Sequence, residues 1–339
     1  MSWSSIKEGS RAPGLLVIDG VTVEALVSLD EAVELAEAAL KKTSNGKAHQ
    51  DIRRTLEMPG EAGTCLSVMY ASLTDQAHFG AKVLSVCPQN FQYGLRSHQG
   101  GVLLFEKEMG RPVALINGSA ITGLRTPAAT AVATRTLSRA YSCELAIIGY
   151  GEQAERHIAA ICSVRPISRI RVWGRDSTKA RAFVDAQRRK GFPVEQLATA
   201  RDAVEGADIV CTVTSARLPV LKGDWLTPGT HINAVGASVA SLQEVDLECV
   251  IRSNVWVDYM PMAMTAASDL FVPLEKGIID RSRVVGEIGA VLNGDVRGRT
   301  DALEITLYRS LGVPAQDIEL ANFIYQKAKD LGLGVKVSL

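Results

Sequence analysis

Short apolar runs alternate with helical patterns through the middle of the chain. Leu145 to Ile148, Ile170 to Trp173, Ala207 to Thr214, His231 to Gly236 and Asn254 to Asp258 each read as a strand. Between the second and third, a helical pattern runs from Ser177, which can cap it, to Arg189, and stops near Gly191. Continuous apolar strands that alternate with helices predict a doubly wound parallel sheet, an α/β fold of Rossmann type. Ligands of such sheets sit beyond the carboxyl ends of the strands.

The first 130 residues follow another pattern. Leu15 to Ile18 reads as a strand, and Ser28 with Glu31 forms a capping box before a helix that presents Val33, Ala36 and Leu40 and ends near Gly46. Shorter strands follow at Leu66 to Met69, Ala81 to Val86, Gly101 to Phe105 and Val113 to Ile116. Near the end, Ile318, Ala321, Ile324, Tyr325 and Ala328 line one face of a last helix. The pattern shifts near residues 130 and 305. A nucleotide-binding unit, 131–304, is therefore expected as an insertion into a second α+β unit made of 1–130 and 305–339.

Composition narrows the class of function. Lysine plus arginine and aspartate plus glutamate both number 37, so no net field attracts nucleic acid or an anionic membrane. Aromatic residues make up only 5%, which disfavours a base-stacking surface. No apolar run reaches the roughly 18 residues of a membrane span, and no signal-peptide core stands at the start. The six cysteines are scattered singly, and His78 and His157 have no partner at ligand spacing, so no metal site is expected. A reduced, cytoplasmic setting follows.

Two sets of residues can carry chemistry. The first strand of the parallel unit runs into Gly149-Tyr150-Gly151-Glu152-Gln153-Ala154. Gly149 allows a tight turn, Gly151 lets the backbone approach a pyrophosphate, and the small Ala154 lets helix and strand pack closely. A dinucleotide is the expected ligand. The second set is three cations, Arg54, Lys82 and Arg125, at apparent strand ends or turns; the flanks of Arg125 in Gly123-Leu-Arg-Thr-Pro suggest a turn leading into a helix. Arginine forks hold carboxylates through paired bonds, and a lysine offers an adjustable pKa. Spacing alone leaves open whether these are ordinary surface cations or converge.

The ordered motifs go further. Arg54-Thr55 before Met69, Gly80-Ala-Lys82-Val, Ser97-His98-Gln99, Gly123-Leu-Arg125-Thr126-Pro, the glycine turn, Ala207-Asp208, His231-Ile-Asn233-Ala-Val-Gly236-Ala-Ser238 and Tyr308-Arg-Ser-Leu-Gly312 occur in this order. In them the chain resembles the ornithine cyclodeaminase/mu-crystallin family over nearly its whole length. The resemblance implies a nicotinamide dinucleotide and a homodimer built through the non-Rossmann unit. It implies that Arg54, Lys82 and Arg125 hold a substrate's α-carboxylate and imine or amine region. Thr126, Thr212, Val235 and Leu311 would belong to the cofactor site, the last three at its nicotinamide end. His98 would lie near the cofactor, or be a loop histidine satisfied by backbone.

One departure selects a sub-type. Cyclodeaminases of the family carry an aspartate after the Ala-Val-Gly run, and this chain has Ser238, as the mu-crystallin-like ketimine reductases do. Oxidising an amino acid requires a proton to leave its ammonium group, and a serine hydroxyl is a poor base. Reducing a protonated cyclic imine requires none. The expected substrate is thus a small cyclic imino acid, pyrroline-2-carboxylate or piperideine-2-carboxylate, reduced to L-proline or L-pipecolate. A cyclodeaminase or alanine-type dehydrogenase, and a binding protein with little turnover, are the alternatives. At the end of the second strand, Gly174-Arg175-Asp176 decides the cofactor. Arg175 matches an arginine that meets a 2′-phosphate, which favours NADPH with NADH possible. Asp176 either repels that phosphate or caps the next helix.

Overall fold

A computed structural model describes residues 14–60 and 63–338. Two eight-stranded sheets divide it. The second is wholly parallel, in the order Val194–Gln196, Arg169–Trp173, Glu144–Ile148, Ile209–Thr212, His231–Ala234, Thr306–Arg309, Asn254–Val257, Val284–Glu287. Strand order reverses beside Glu144–Ile148, the point at which sheets of this kind bind their ligands. This is a Rossmann-type sheet. Its strands are apolar on both faces because helices cover both.

The first sheet is mixed, with Val335–Val337, Leu15–Ile18, Pro112–Asn117, His98–Glu106, His78–Val86, Cys65–Leu73 and Ala48–Gln50 in order, and Arg54–Glu57 also paired to Cys65–Leu73. Helices Leu29–Ser44, Gly118–Leu137 and Pro314–Leu331 bury one of its faces. Its other face leaves Leu66, Tyr70, Phe79, Val83 and Leu115 exposed. The Ser28 capping box forms as expected, with Glu31 N to Ser28 Oγ at 3.2 Å and Ser28 N to Glu31 Oε2 at 2.8 Å.

Both expected unit edges move. Thr306–Arg309 lies inside the parallel sheet, between His231–Ala234 and Asn254–Val257, so that unit extends to about residue 310. The run Thr-Leu-Tyr-Arg is too short and polar-ended to be read as a buried strand in isolation. An edge at 130 would cut a single helix, Gly118–Leu137, that packs on the first sheet and on Glu152–Val164 of the second unit. Arg125 therefore stands in a helix interior rather than a turn. Pro127, a residue that commonly ends helices, is accommodated within this one.

Candidate active site

The glycine turn has the form a pyrophosphate site requires. Gly149 adopts φ +132°, and a Cβ there would stand 2.8 Å from the Val213 carbonyl. Gly151 is the N-cap of helix Glu152–Val164, with no side chain capping it and open space where a Cβ would point. The first-turn N–H groups are thus left for an outside acceptor. Gln153 Oε1 is buried without a partner, and Ala154 is fully buried against the strand. These residues fit a dinucleotide. Glu152 lies at the mouth, facing Arg96 and Arg156 at 3.5 Å each.

At the next strand end, the Tyr150 ring lies against Gly174, where any Cβ would strike it. Arg175 is exposed. Asp176 takes the capping role, accepting from Lys179 N at 3.0 Å, and Ser177 becomes the first residue of the helix. Its carboxylate is thereby engaged with the helix.

The cations partly converge. Lys82 lies mid-strand and 1% exposed, with Nζ 2.7 Å from Asp317 Oδ1 and 3.4 Å from Thr122 Oγ1. Arg125 is buried, with Nε 3.3 Å from the same Asp317 oxygen and Nη1 donating to Gln316 Oε1 at 3.4 Å. Arg54 does not join them. It is exposed and pairs with Asp51 at 2.9 Å, which also accepts from the Tyr70 hydroxyl at 2.9 Å. Strand alternation explains the difference. Arg54 is opposite Val68, whereas Lys82 is opposite Met69, so the position that shares the Lys82 face is the preceding one. Arg53 fills it. Its guanidinium reaches across to the second unit and donates to the Ser238 carbonyl at 3.0 Å and the Leu311 carbonyl at 2.8 Å.

The cluster holds more positive than negative charge. Arg53, Lys82 and Arg125 face Asp317, while the buried Asp258 carboxylate accepts from Leu311 N and Gly312 N at 2.6 Å each. Burial first, and then repulsion by Arg125, lowers Lys82 to about 7 in spite of Asp317. Asp317 Oδ2 has no hydrogen-bond partner. An anionic ligand would relieve the excess of positive charge, and a ligand N–H would satisfy Asp317 Oδ2. His98 is exposed by area yet crowded by protein atoms; that desolvation, followed by the charges of Lys82, Arg53 and Arg125, lowers it to about 4, so it is neutral at pH 7. Its Nδ1 lies 2.9 Å from Ser97 Oγ.

The residues expected at the nicotinamide end are less uniform. Val235 and Leu311 sit in loops after their strands, 7% and 2% exposed. Thr212 is wholly buried and its hydroxyl donates to Glu244 at 3.0 Å. Thr126 Oγ1 bonds back to the Thr122 carbonyl at 2.8 Å within its helix. Ser238 is half-buried and offers Arg53 its carbonyl. Sequence reasoning missed Arg53, Asp258 and Glu244; adjacent arginines carry no signal of which one points inward.

Gly312 shapes the cluster. It adopts φ +80°, and a Cβ would collide with the Arg125 guanidinium. Gly312→Ala is expected to raise KM about tenfold while kcat stays within about threefold. Steady-state kinetics beside a melting curve checks this.

The pattern of the ornithine cyclodeaminase/mu-crystallin family matches residues 16–332. The chain belongs to that family. It is 35% identical to the Delta(1)-pyrroline-2-carboxylate reductase of Bacillus cereus over 325 residues, 95% of this chain and 99% of the relative. The Thermococcus litoralis Delta(1)-pyrroline-2-carboxylate reductase, solved with NADH and L-proline, superposes with a TM-score of 0.91 at 34% identity, covering 95% of this chain and 100% of that one. An archaeal alanine dehydrogenase dimer with bound NAD gives 0.89 at 31% identity, covering 95% and 98%.

Proposed function

We propose that the protein is a nicotinamide-dependent ketimine reductase acting on cyclic 2-imino carboxylates such as pyrroline-2-carboxylate and piperideine-2-carboxylate. The enzyme is an oxidoreductase of the C=N class. One observation carries the substrate reading: the buried Lys82 and Arg125 and the half-buried Arg53 form a cluster with too few carboxylates. The similarity to two pyrroline-2-carboxylate reductases, one bound to L-proline, supports it.

The reduced cofactor supplies the hydride. The turn Gly149–Ala154 holds its pyrophosphate on free N–H groups. Arg125 and Arg53 hold the substrate carboxylate, which fixes the ring's orientation. Lys82, with its pKa near 7, keeps a proton available beside the imine nitrogen. His98 stays neutral and adds no further charge. The position of Ser238 supplies no carboxylate to strip an ammonium group.

The lysine also supports a second reading. A neutral Lys82 can take a proton from a linear amino acid, as amino acid oxidation by an alanine dehydrogenase requires. L-Alanine and L-ornithine with oxidised cofactor separate the two. Neither is expected to be turned over at rates near that of imine reduction, and fast release of ammonia from either would favour oxidation instead.

NADPH is the proposed cofactor, because Arg175 is exposed while Asp176 is engaged as a cap. Arg175→Ala is expected to weaken NADPH binding about tenfold or more, with NADH changed less than about threefold. Asp176→Ala leaves that ratio and costs about 1 kcal/mol of stability. Fluorescence titration and melting check both. The exposed apolar face of the first sheet, with Phe79 stacked on Phe105 at 5.5 Å, supports a homodimer. No described helix is long and apolar enough to cross a membrane. Six unpaired cysteines and a nicotinamide cofactor fit the cytoplasm.

A further inference from the structure

Glu244 is wholly buried in the segment between the strands His231–Ala234 and Asn254–Val257. Its carboxylate accepts five hydrogen bonds. Oε1 receives Thr214 N at 2.5 Å and Thr214 Oγ1 at 2.7 Å. Oε2 receives Gly236 N at 2.6 Å, Thr212 Oγ1 at 3.0 Å and Ala237 N at 3.1 Å. All five donors are neutral. Three are main-chain N–H groups, which cannot accept a proton, so the pattern is that of a carboxylate. Burial holds its pKa above the ordinary carboxylate value, and the donors and Arg309 offset only part of that rise.

A cation whose field reaches Glu244 is Arg309. Arg309 is already paired with Asp269 at 3.0 Å and donates to the Ala234 and Ala237 carbonyls. The three groups together therefore carry one net negative charge. They lie under the two loops that close the carboxyl ends of the central strands, where this sheet places its ligand. Arg53, Lys82 and Arg125 come from the first unit, and their charge opposes any positive charge that develops beside them.

We propose that Glu244 is a positioning residue with an electrostatic role: it holds both loops and favours the oxidised, cationic nicotinamide over the reduced, neutral one. It thereby makes the bound reduced cofactor a better hydride donor. As the hydride leaves for the imine carbon, the ring gains one positive charge, and the imine nitrogen keeps its proton to become the product amine. A buried charge acts on that change through a low effective dielectric. The inference rests on the cofactor reading of the crevice.

The test is the ratio of dissociation constants for NADP+ and NADPH at pH 8, from fluorescence titration of the full-length protein, with melting curves alongside. Glu244→Gln keeps shape and loses charge, and should weaken NADP+ relative to NADPH about tenfold. Glu244→Asp keeps the charge with poorer bonding; it should melt lower yet hold the ratio within about threefold. Ser215→Asp adds a carboxylate at an exposed position beside Thr214 without touching the cluster, and should move the ratio about twofold the other way. This variant decides the matter if Glu244→Gln does not fold. A folded Glu244→Gln with an unchanged ratio overturns the proposal, as does a Glu244→Asp shift equal to that of Glu244→Gln, or an unmoved Ser215→Asp when Glu244→Gln is unfolded. A wild type that binds neither form overturns the cofactor reading itself and this inference with it.

Discussion

Arg53→Met is expected to lower kcat/KM for a cyclic imino carboxylate by about a hundredfold or more, while Arg54→Met leaves it within about threefold. The two residues are neighbours in sequence and opposites in environment. Arg53 bridges two loop carbonyls beside Lys82 and Arg125, and Arg54 makes a surface pair with Asp51. Removing a guanidinium from a desolvated cluster leaves the substrate carboxylate short of a partner, and most of the loss should fall on KM. Exposed ion pairs contribute little, so the Arg54 variant should melt close to wild type. Steady-state kinetics of the two variants decides between them. Reversed losses, with Arg54→Met the damaging change, would mean that the strand is turned over relative to the arrangement described, with Arg54 inside.

Lys82→Met is expected to abolish detectable turnover, and the wild-type pH dependence should show why. Lys82 titrates near 7 rather than at the ordinary lysine value, because burial and Arg125 disfavour its charge. A carboxylate ligand favours the charged form, so binding should take up a proton above pH 7. Pyrrole-2-carboxylate, a planar ring acid whose nitrogen does not titrate in this range, serves as the probe. Its affinity should fall with rising pH above about 7, approaching tenfold per unit. Lys82→Arg keeps its charge at every accessible pH and should flatten that limb. Stability follows the linked sign. The folded pKa lies below the unfolded one, so between about 7 and the ordinary lysine value the unfolded chain binds more protons, and the ligand-free protein gains stability as pH rises. A flat affinity profile in the wild type would remove Lys82 from carboxylate binding.

The parallel unit was largely legible in the sequence. Its strands are apolar on both faces and end at glycines, and the Gly149 turn lies where such patterns place it. Thr306–Arg309 escaped because four residues with polar ends have no period of their own and become a strand only between two neighbours. The stretch after Asp258 was unreadable for a related reason. Its helices Met260–Ala266 and Ser268–Glu275 are short, and Pro273 lies within the second. In the site, Lys82 and Arg125 could be named from the family's motifs, and the structure brings them together on Asp317. Arg53 could not. The run Arg53-Arg-Thr-Leu-Glu has no apolar alternation to show which face is inward, and strand pairing alone decides it. Glu244 and Asp258 were equally hidden, since a buried carboxylate that binds main-chain N–H groups leaves no pattern in sequence.

On the proposed reading, this cation cluster serves the reduction of a cyclic imine. The direct measurement is oxidation of NADPH at 340 nm with pyrroline-2-carboxylate and piperideine-2-carboxylate, followed by chiral separation of the product. Rapid oxidation yielding L-proline or L-pipecolate, and lost in Arg125→Met, is the predicted result. No oxidation with either imine, in a preparation shown to bind NADPH, would contradict it.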